Sequence, residues 1–173
     1  MRNTEKRKKI SIGVEDFKTL IDWNGYFVDK TLMIRDLIEN HAMVTLFTRP
    51  RRFGKTLNQF MIRRFFEDEI TEKGEKVDNG YLFDGLAITR CGEEILQHQQ
   101  RYPVIFMSLK SAKQDSYDMA YASLIDEISK EFKRHAYLLQ GESLSPKEKQ
   151  EFQLVMDKEA QPIAYAKALG FLS

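Results

Sequence analysis

A short apolar segment, a basic loop and an amphipathic helix follow one another and constrain the fold more than any other feature. Residues 42–47 carry no charge and are a candidate buried strand, and the loop behind them ends in Gly54-Lys55-Thr56. A strand, a loop ending in Gly-Lys-Thr and a helix make up a P-loop, which cradles the phosphates of a nucleotide. The pattern therefore predicts an α/β, P-loop NTPase-like fold with a phosphate site at a strand-to-helix junction.

The loop lacks the first glycine of the common G-x-x-x-x-G-K-[ST] motif, because Arg49 stands at that position. Pro50 fixes its own φ near about −65° and disfavours the α conformation at Arg49. The turn out of the strand is therefore predicted to be stiffened by proline. Gly54 would still let the backbone approach a phosphate, since it has no Cβ.

The predicted chemistry rests on the residues that open the helix. Lys55 would reach the β- and γ-phosphates of a nucleotide, and the Thr56 hydroxyl would bind Mg²⁺. The first helical turn adds unpaired N–H groups and a positive dipole end. Arg51 and Arg52 either add charge beside the phosphates or point to solvent. The predicted nucleotide-binding residues are Arg51, Arg52, Phe53, Gly54, Lys55, Thr56 and Leu57.

The composition of the 173-residue chain is that of a folded protein without a strong overall charge. Apolar residues make up 42% of the chain, and the formal net charge is +1. No global field therefore attracts nucleic acid. Basic residues are nevertheless concentrated near the N-terminus and around the loop. We expect residues 1–10 to form a basic, flexible tail.

The single cysteine, Cys91, excludes a disulfide within the chain and fits a reducing cytoplasm. No apolar run approaches the roughly 18 residues of a membrane span, and no apolar segment follows the basic N-terminus as in a signal peptide. His41, His98 and His135 have no metal-ligand spacing. We therefore expect a cytoplasmic protein with no membrane contact and no metal site built on these residues.

Apolar periodicity predicts a second strand and several helices. Residues 103–109 form a second apolar segment, with proline tolerated at its first position. Alternating strands and helices indicate a parallel sheet flanked by helices, but two strands make a small sheet, so the domain looks incomplete. The acidic residues 67–69 are predicted to form a solvated face. Helices are predicted over residues 14–22, 93–100, 117–139, 146–158 and 162–172, and after Asp29 and Gly54.

Two segments resemble the bacterial AAA-ATPase-like family. These are Tyr26-Phe-Val-Asp-Lys-Thr31 and Leu46-Phe-Thr-Arg-Pro-Arg-Arg-Phe-Gly-Lys-Thr-Leu57. Arg-Pro in place of the first glycine is the family's own pattern. The resemblance implies a P-loop ATPase that uses ATP and Mg²⁺. It also implies that residues 11–173 are the N-terminal part of the ATPase domain.

Members of this family often carry a nuclease-like domain of the PD-(D/E)XK type, through which nucleic acid is a possible partner. The chain has neither that domain nor an apolar strand ending in Asp-Glu, the Walker B acids. In P-loop ATPases a Walker B acid helps to hold Mg²⁺. We therefore expect a truncated ATPase with little or no hydrolysis on its own, and whether it is an enzyme stays open.

Two other functions remain open on the sequence alone. The basic loop could belong to an interaction module that binds nucleic-acid phosphate, or the chain could be an inactive gene remnant. Asp29 and Lys30 also have two interpretations. Either this segment contacts adenine, or Asp29 caps the helix from Thr31 while Tyr26 packs in the core.

Overall fold

The computed structural model describes residues 8–173, which divide into two compact units. The first unit contains residues 8–68 together with Asp78–Pro103. The second unit contains Glu69–Val77 and Val104–Ser173. The predicted basic tail lies largely outside the described residues.

The first unit is built from short helices around an aromatic core. Phe17, Phe65 and Phe83 are buried at its centre, with the Phe65 and Phe83 ring centroids 5.4 Å apart. Asp16 caps the first helix by accepting a hydrogen bond of 2.7 Å from the Thr19 N–H. Its helices are α1 (Phe17–Asp22), α2 (Leu32–Asn40), α3 (Lys55–Phe66) and α4 (Glu93–Leu96), with 3-10 turns at Gly80–Phe83 and Ala87–Arg90.

The predicted parallel sheet is wrong. Residues 8–173 contain no strand, only isolated bridges such as the one between Glu67 and Tyr102, and 52% of these residues are helical. Residues 42–47 are exposed, with Val44 at 85% and Leu46 at 82% exposure. A strand exists only where a neighbouring segment accepts and donates its backbone hydrogen bonds. Residues 42–47 and 103–109 are apolar, but neither segment pairs with a neighbouring strand within the described chain.

The acidic segment at the end of α3 also departs from its prediction. Glu67 is only 2% exposed, and its carboxylate accepts a hydrogen bond of 2.7 Å from Nε of Arg63. The two residues lie four apart and therefore on one face of the chain. Glu67 is thus a buried ion-pair partner, and its expected solvation was wrong.

The second unit is a helical cluster whose core is again aromatic. Phe132 and Phe152 are fully buried, with ring centroids 4.7 Å apart. Ser145 and Glu148 form a capping box at the start of the helix predicted from residue 146, because they exchange hydrogen bonds of 2.8 and 3.4 Å. The helices are α5 (Tyr117–Arg134), α6 (Pro146–Met156) and α7 (Pro162–Leu172), with 3-10 turns at Leu109–Ala112 and Ala136–Leu139.

Candidate phosphate-binding site

The basic loop ends on residues whose backbone is left-handed. Gly54 has a φ of 73° and is the N-cap of α3, and Arg52 has a φ of 68°. Glycine adopts this conformation at little cost, whereas a residue with a Cβ rarely does. Gly54 is therefore the residue that lets the loop turn directly into the helix.

Lys55, the first residue of α3, closes the loop through its ammonium group. Lys55 Nζ donates a hydrogen bond of 2.9 Å to the Pro50 carbonyl oxygen and another to the Arg49 carbonyl oxygen. Arg49, which stands at the position of the first glycine, and the following Pro50 thus both present their carbonyl oxygens to the lysine. The result is a loop with a positive charge held at its mouth.

The first turn of α3 can accept an anion. The earliest helical hydrogen bond runs from the Asn58 N–H to the Gly54 carbonyl at 2.9 Å, so the N–H groups of Lys55, Thr56 and Leu57 precede it. Within the described chain no side chain caps this turn. Unpaired N–H groups at a helix N-terminus favour phosphate and other anions.

A cleft of about 360 Å³ lies beside the loop. It is lined by three cationic side chains, Lys30, Arg49 and Lys55, and by no carboxylate among the described residues. Its apolar wall consists of Met33, Phe47, Phe53 and Ile62, and Asn58 and Gln59 complete the lining. Positive charge next to an apolar surface suits a ligand that is anionic at one end and flat and apolar at the other.

The geometry of the loop and the cleft agrees with the protein family that the chain matches. A family model described as predicted AAA-ATPase matches residues 11–164. The chain belongs to this family. Neither a curated protein nor a solved structure matches the chain. The family suggests nucleotide binding in general, and its members would generally use ATP and Mg²⁺.

The structure places the sequence-predicted site residues of this family member in different surroundings. Phe53 and Lys55 line the cleft. Arg51 and Arg52 are exposed, Thr56 is half-buried, and none of these three residues is part of the cleft lining. Leu57 packs against the hydrophobic core of the first unit.

The cleft also contains residues that the loop motif did not include. Asn58, Gln59 and Ile62 follow Lys55 by three, four and seven positions, so helical periodicity places them on the same face of α3. That signal could have identified them. Phe47 directly precedes the loop, whereas Lys30 comes from the segment before α2, and only the tertiary structure brings Lys30 to the loop.

The segment before α2 is fixed by a group of hydrogen bonds around Asp29. Asp29 Oδ1 accepts from the Thr31 N–H at 2.9 Å and from the Thr31 hydroxyl at 2.7 Å. Its Oδ2 accepts from the Ala87 N–H at 2.7 Å, and the Thr31 hydroxyl oxygen accepts from the Ile88 N–H at 3.1 Å. Asp29 thus stabilises the start of α2. The expected core packing of Tyr26 was wrong, since its side chain is 61% exposed.

Burial raises the pKa of Asp29, but hydrogen bonds from Thr31 and Ala87 outweigh it and hold the pKa below its usual value. The folded state therefore binds the carboxyl proton of Asp29 less tightly than the unfolded chain does. The ionised Asp29 side chain thus stabilises the fold at pH values above its unfolded pKa. Replacing Asp29 with alanine is expected to lower the free energy of unfolding by about 1–3 kcal/mol at pH 7. Urea unfolding at pH 7 measures this loss.

The same substitution has a pH signature. The Asp29 contribution should be lost as the pH falls through the folded pKa, so the stability difference between wild type and Asp29→Ala should shrink progressively below about pH 4. Asp84→Ala is a control, because Asp84 is an exposed carboxylate in the same unit. A difference between wild type and Asp29→Ala that persists unchanged at low pH would contradict this assignment.

No helix within residues 8–173 is long and apolar enough to cross a membrane. No group of three or more His, Cys, Asp or Glu side chains there could hold a metal ion.

Proposed function

We propose that this chain binds ATP with Mg²⁺ through the loop that ends at Lys55 and the cleft beside it. The observation that carries the proposal is the position of Lys55. Its ammonium lies at the loop mouth, at the N-terminus of α3, and also lines the cleft. The phosphates would lie on this helix end, with Lys55 exchanging its bonds to loop carbonyls for bonds to phosphate oxygens. Residues 51–57 are the proposed contact set, with the Thr56 hydroxyl directed to Mg²⁺.

The apolar wall of the cleft supports a nucleotide as the ligand. Phe47 and Phe53 remain 41% and 56% exposed, although both are large aromatic residues. Stacking of a flat base on such rings is favourable and tolerates any base. A volume of about 360 Å³ lies at the lower end of small-molecule pockets. Inorganic phosphate would leave this wall uncovered.

We further propose that the chain hydrolyses ATP slowly or not at all on its own. P-loop ATPases use a carboxylate to help hold Mg²⁺ and a positioned group to orient the attacking water. Among the described residues that line the cleft, none is acidic. The prediction that the chain is the N-terminal part of a longer ATPase is consistent with this absence and stays a prediction.

The test is thermal unfolding with and without ATP and Mg²⁺. A ligand at 100 times its dissociation constant stabilises the folded state by about 2.7 kcal/mol, which shifts the melting temperature measurably. Lys55→Ala should abolish the shift, because it removes the central cation. Lys147→Ala is the matched control, since Lys147 is an exposed lysine in the first turn of α6.

The other outcome favours a different function. Arg51 and Arg52 are exposed and lie outside the cleft lining, where they could bind the phosphates of a polynucleotide. If single-stranded or duplex DNA raises the melting temperature and ATP does not, the chain is a nucleic-acid-binding module. If neither ligand stabilises the wild type, the ATP proposal is wrong.

A further inference from the structure

We propose that Lys30 is a second phosphate-binding residue, which makes this cleft selective for nucleotides that carry more than one phosphate. The inference rests on the proposed function, because it assigns a further residue of the same site. It concerns a side chain outside the Gly-Lys-Thr loop.

The backbone on both sides of Lys30 is held in place. Asp29 is bonded to the N–H of Ala87 at 2.7 Å, and Thr31, which is fully buried, is bonded to the N–H of Ile88 at 3.1 Å. Of these three consecutive residues, only Lys30 lines the cleft. A side chain carried on a fixed backbone binds with less loss of conformational freedom than one on a loose loop.

The positive side chains of the cleft favour an anion that is long enough to contact more than one of them. Lys55 already donates to two loop carbonyls, whereas Lys30 is exposed and forms no ion pair with any residue between 8 and 173. Arg49 adds a third positive charge, and no lining side chain compensates for it. Like charges in one cleft repel each other. A chain of phosphates would relieve this repulsion, whereas a single phosphate on Lys55 would leave Lys30 without a counter-charge.

The apolar wall limits the other end of the ligand. Met33 lies one turn beyond Lys30 at the start of α2 and belongs to the same wall as Phe53. A base resting on this wall and phosphates extended between Lys30 and Lys55 would occupy one continuous cleft. Nucleoside di- and triphosphates therefore fit it better than a nucleoside monophosphate does.

Isothermal titration calorimetry of the full chain tests this assignment. ATP, tripolyphosphate and adenosine are titrated into wild type, Lys30→Gln, Lys30→Arg and Lys55→Ala. Lys30→Gln should lower the affinity for ATP and for tripolyphosphate by about 5- to 50-fold, because the phosphates lose a binding partner. The affinity for adenosine should not change. Lys30→Arg should restore most of the affinity. Lys9→Gln is the control, because Lys9 is an exposed lysine of the same unit outside the cleft.

Salt dependence gives a second readout that a merely structural role would not change. The affinity of Lys30→Gln for ATP should fall less steeply with added salt than that of wild type, because one charge contact is missing. Equal ATP affinities and equal salt slopes for wild type and Lys30→Gln would overturn the inference about Lys30. If Lys55→Ala still abolished binding in that case, the proposed function would stand. Absence of ATP binding to the wild-type protein would contradict both the proposed function and the inference about Lys30.

Discussion

Replacing Glu131 with alanine is expected to destabilise the second unit by about 3–5 kcal/mol, because it breaks a buried ion-pair network. The Glu131 side chain is 5% exposed. Its Oε2 accepts a hydrogen bond of 2.9 Å from Nε of Arg134, and its Oε1 accepts a second bond from the Arg134 guanidinium. Nε2 of His135 lies 3.4 Å from the same Oε1.

The carboxylate and Arg134 also link residues 104–106 to α5. Glu131 Oε1 accepts from the Phe106 N–H at 2.7 Å, and the Arg134 guanidinium donates to the Val104 carbonyl. These bonds satisfy backbone groups that a neighbouring strand would otherwise satisfy. Alanine at position 131 would leave a partly buried guanidinium and an N–H group without this carboxylate. Removing one partner of a buried pair costs more than the net value of the pair.

Urea unfolding followed by circular dichroism measures the effect. Asp126→Ala is the matched control on the same helix, because the pair of Asp126 with Lys158 is about half exposed and should contribute at most about 1 kcal/mol. Glu131→Gln should fall between wild type and Glu131→Ala, since it keeps an acceptor oxygen but loses the charge. Equal losses for Glu131→Ala and Asp126→Ala would contradict the importance of the buried network.

Replacing Phe65 with alanine is expected to lower the stability of the first unit by about 3–5 kcal/mol. Phe65 is fully buried near the end of α3 and contacts the rings of Phe66 and Phe83 edge to face, with centroids 5.2 and 5.4 Å away. Truncation to alanine removes these contacts and leaves a cavity that the surrounding residues fill only partly.

The location of Phe65 links this loss to the candidate site. Lys55 begins the helix whose far end Phe65 anchors, so the phosphate-binding turn depends on the same packing. ATP should still bind to the folded fraction of Phe65→Ala with nearly wild-type affinity, because Phe65 does not line the cleft. Phe53→Ala should do the opposite: it weakens ATP binding and changes stability by less than about 0.5 kcal/mol, since Phe53 is 56% exposed.

Urea unfolding followed by the fluorescence of Trp23, the single tryptophan, reports on the first unit. Calorimetry with ATP then separates stability from binding. A Phe65→Ala protein that unfolds at the wild-type urea concentration would show that this packing does not support α3.

Local signals predicted the helices well. Asp16, Ser116 and Ser145 each accept a hydrogen bond from the first turn of the following helix. The run from residue 162 to residue 172 was predicted as a helix and is α7. The helix predicted over residues 117–139 is α5 followed by a 3-10 turn, because α5 ends at Arg134. Caps and 3.6-residue periodicity depend on residues close in sequence, so the sequence contains them in full.

The two predicted strands were wrong because strand formation does not depend on nearby residues alone. A strand is defined by its partner, and no local pattern says which segment that partner is. Residues 42–47 have a strand's composition but are exposed, and Phe106 in the second apolar segment has its N–H bonded to a glutamate side chain. An apolar run of this length therefore predicted an element that the described chain does not form.

The sequence by itself determined the loop: the order Arg-Pro-Arg-Arg-Phe-Gly-Lys-Thr, the left-handed turn at Gly54 and the helix that starts at Lys55 all follow from neighbouring residues. Only the tertiary structure decided what surrounds Lys55. Lys30 and Met33 reach the cleft from an earlier segment of the chain, and Asp29 fixes Lys30 through the distant Ala87. Such contacts arise from packing between elements far apart in the chain, which no periodicity within one element encodes.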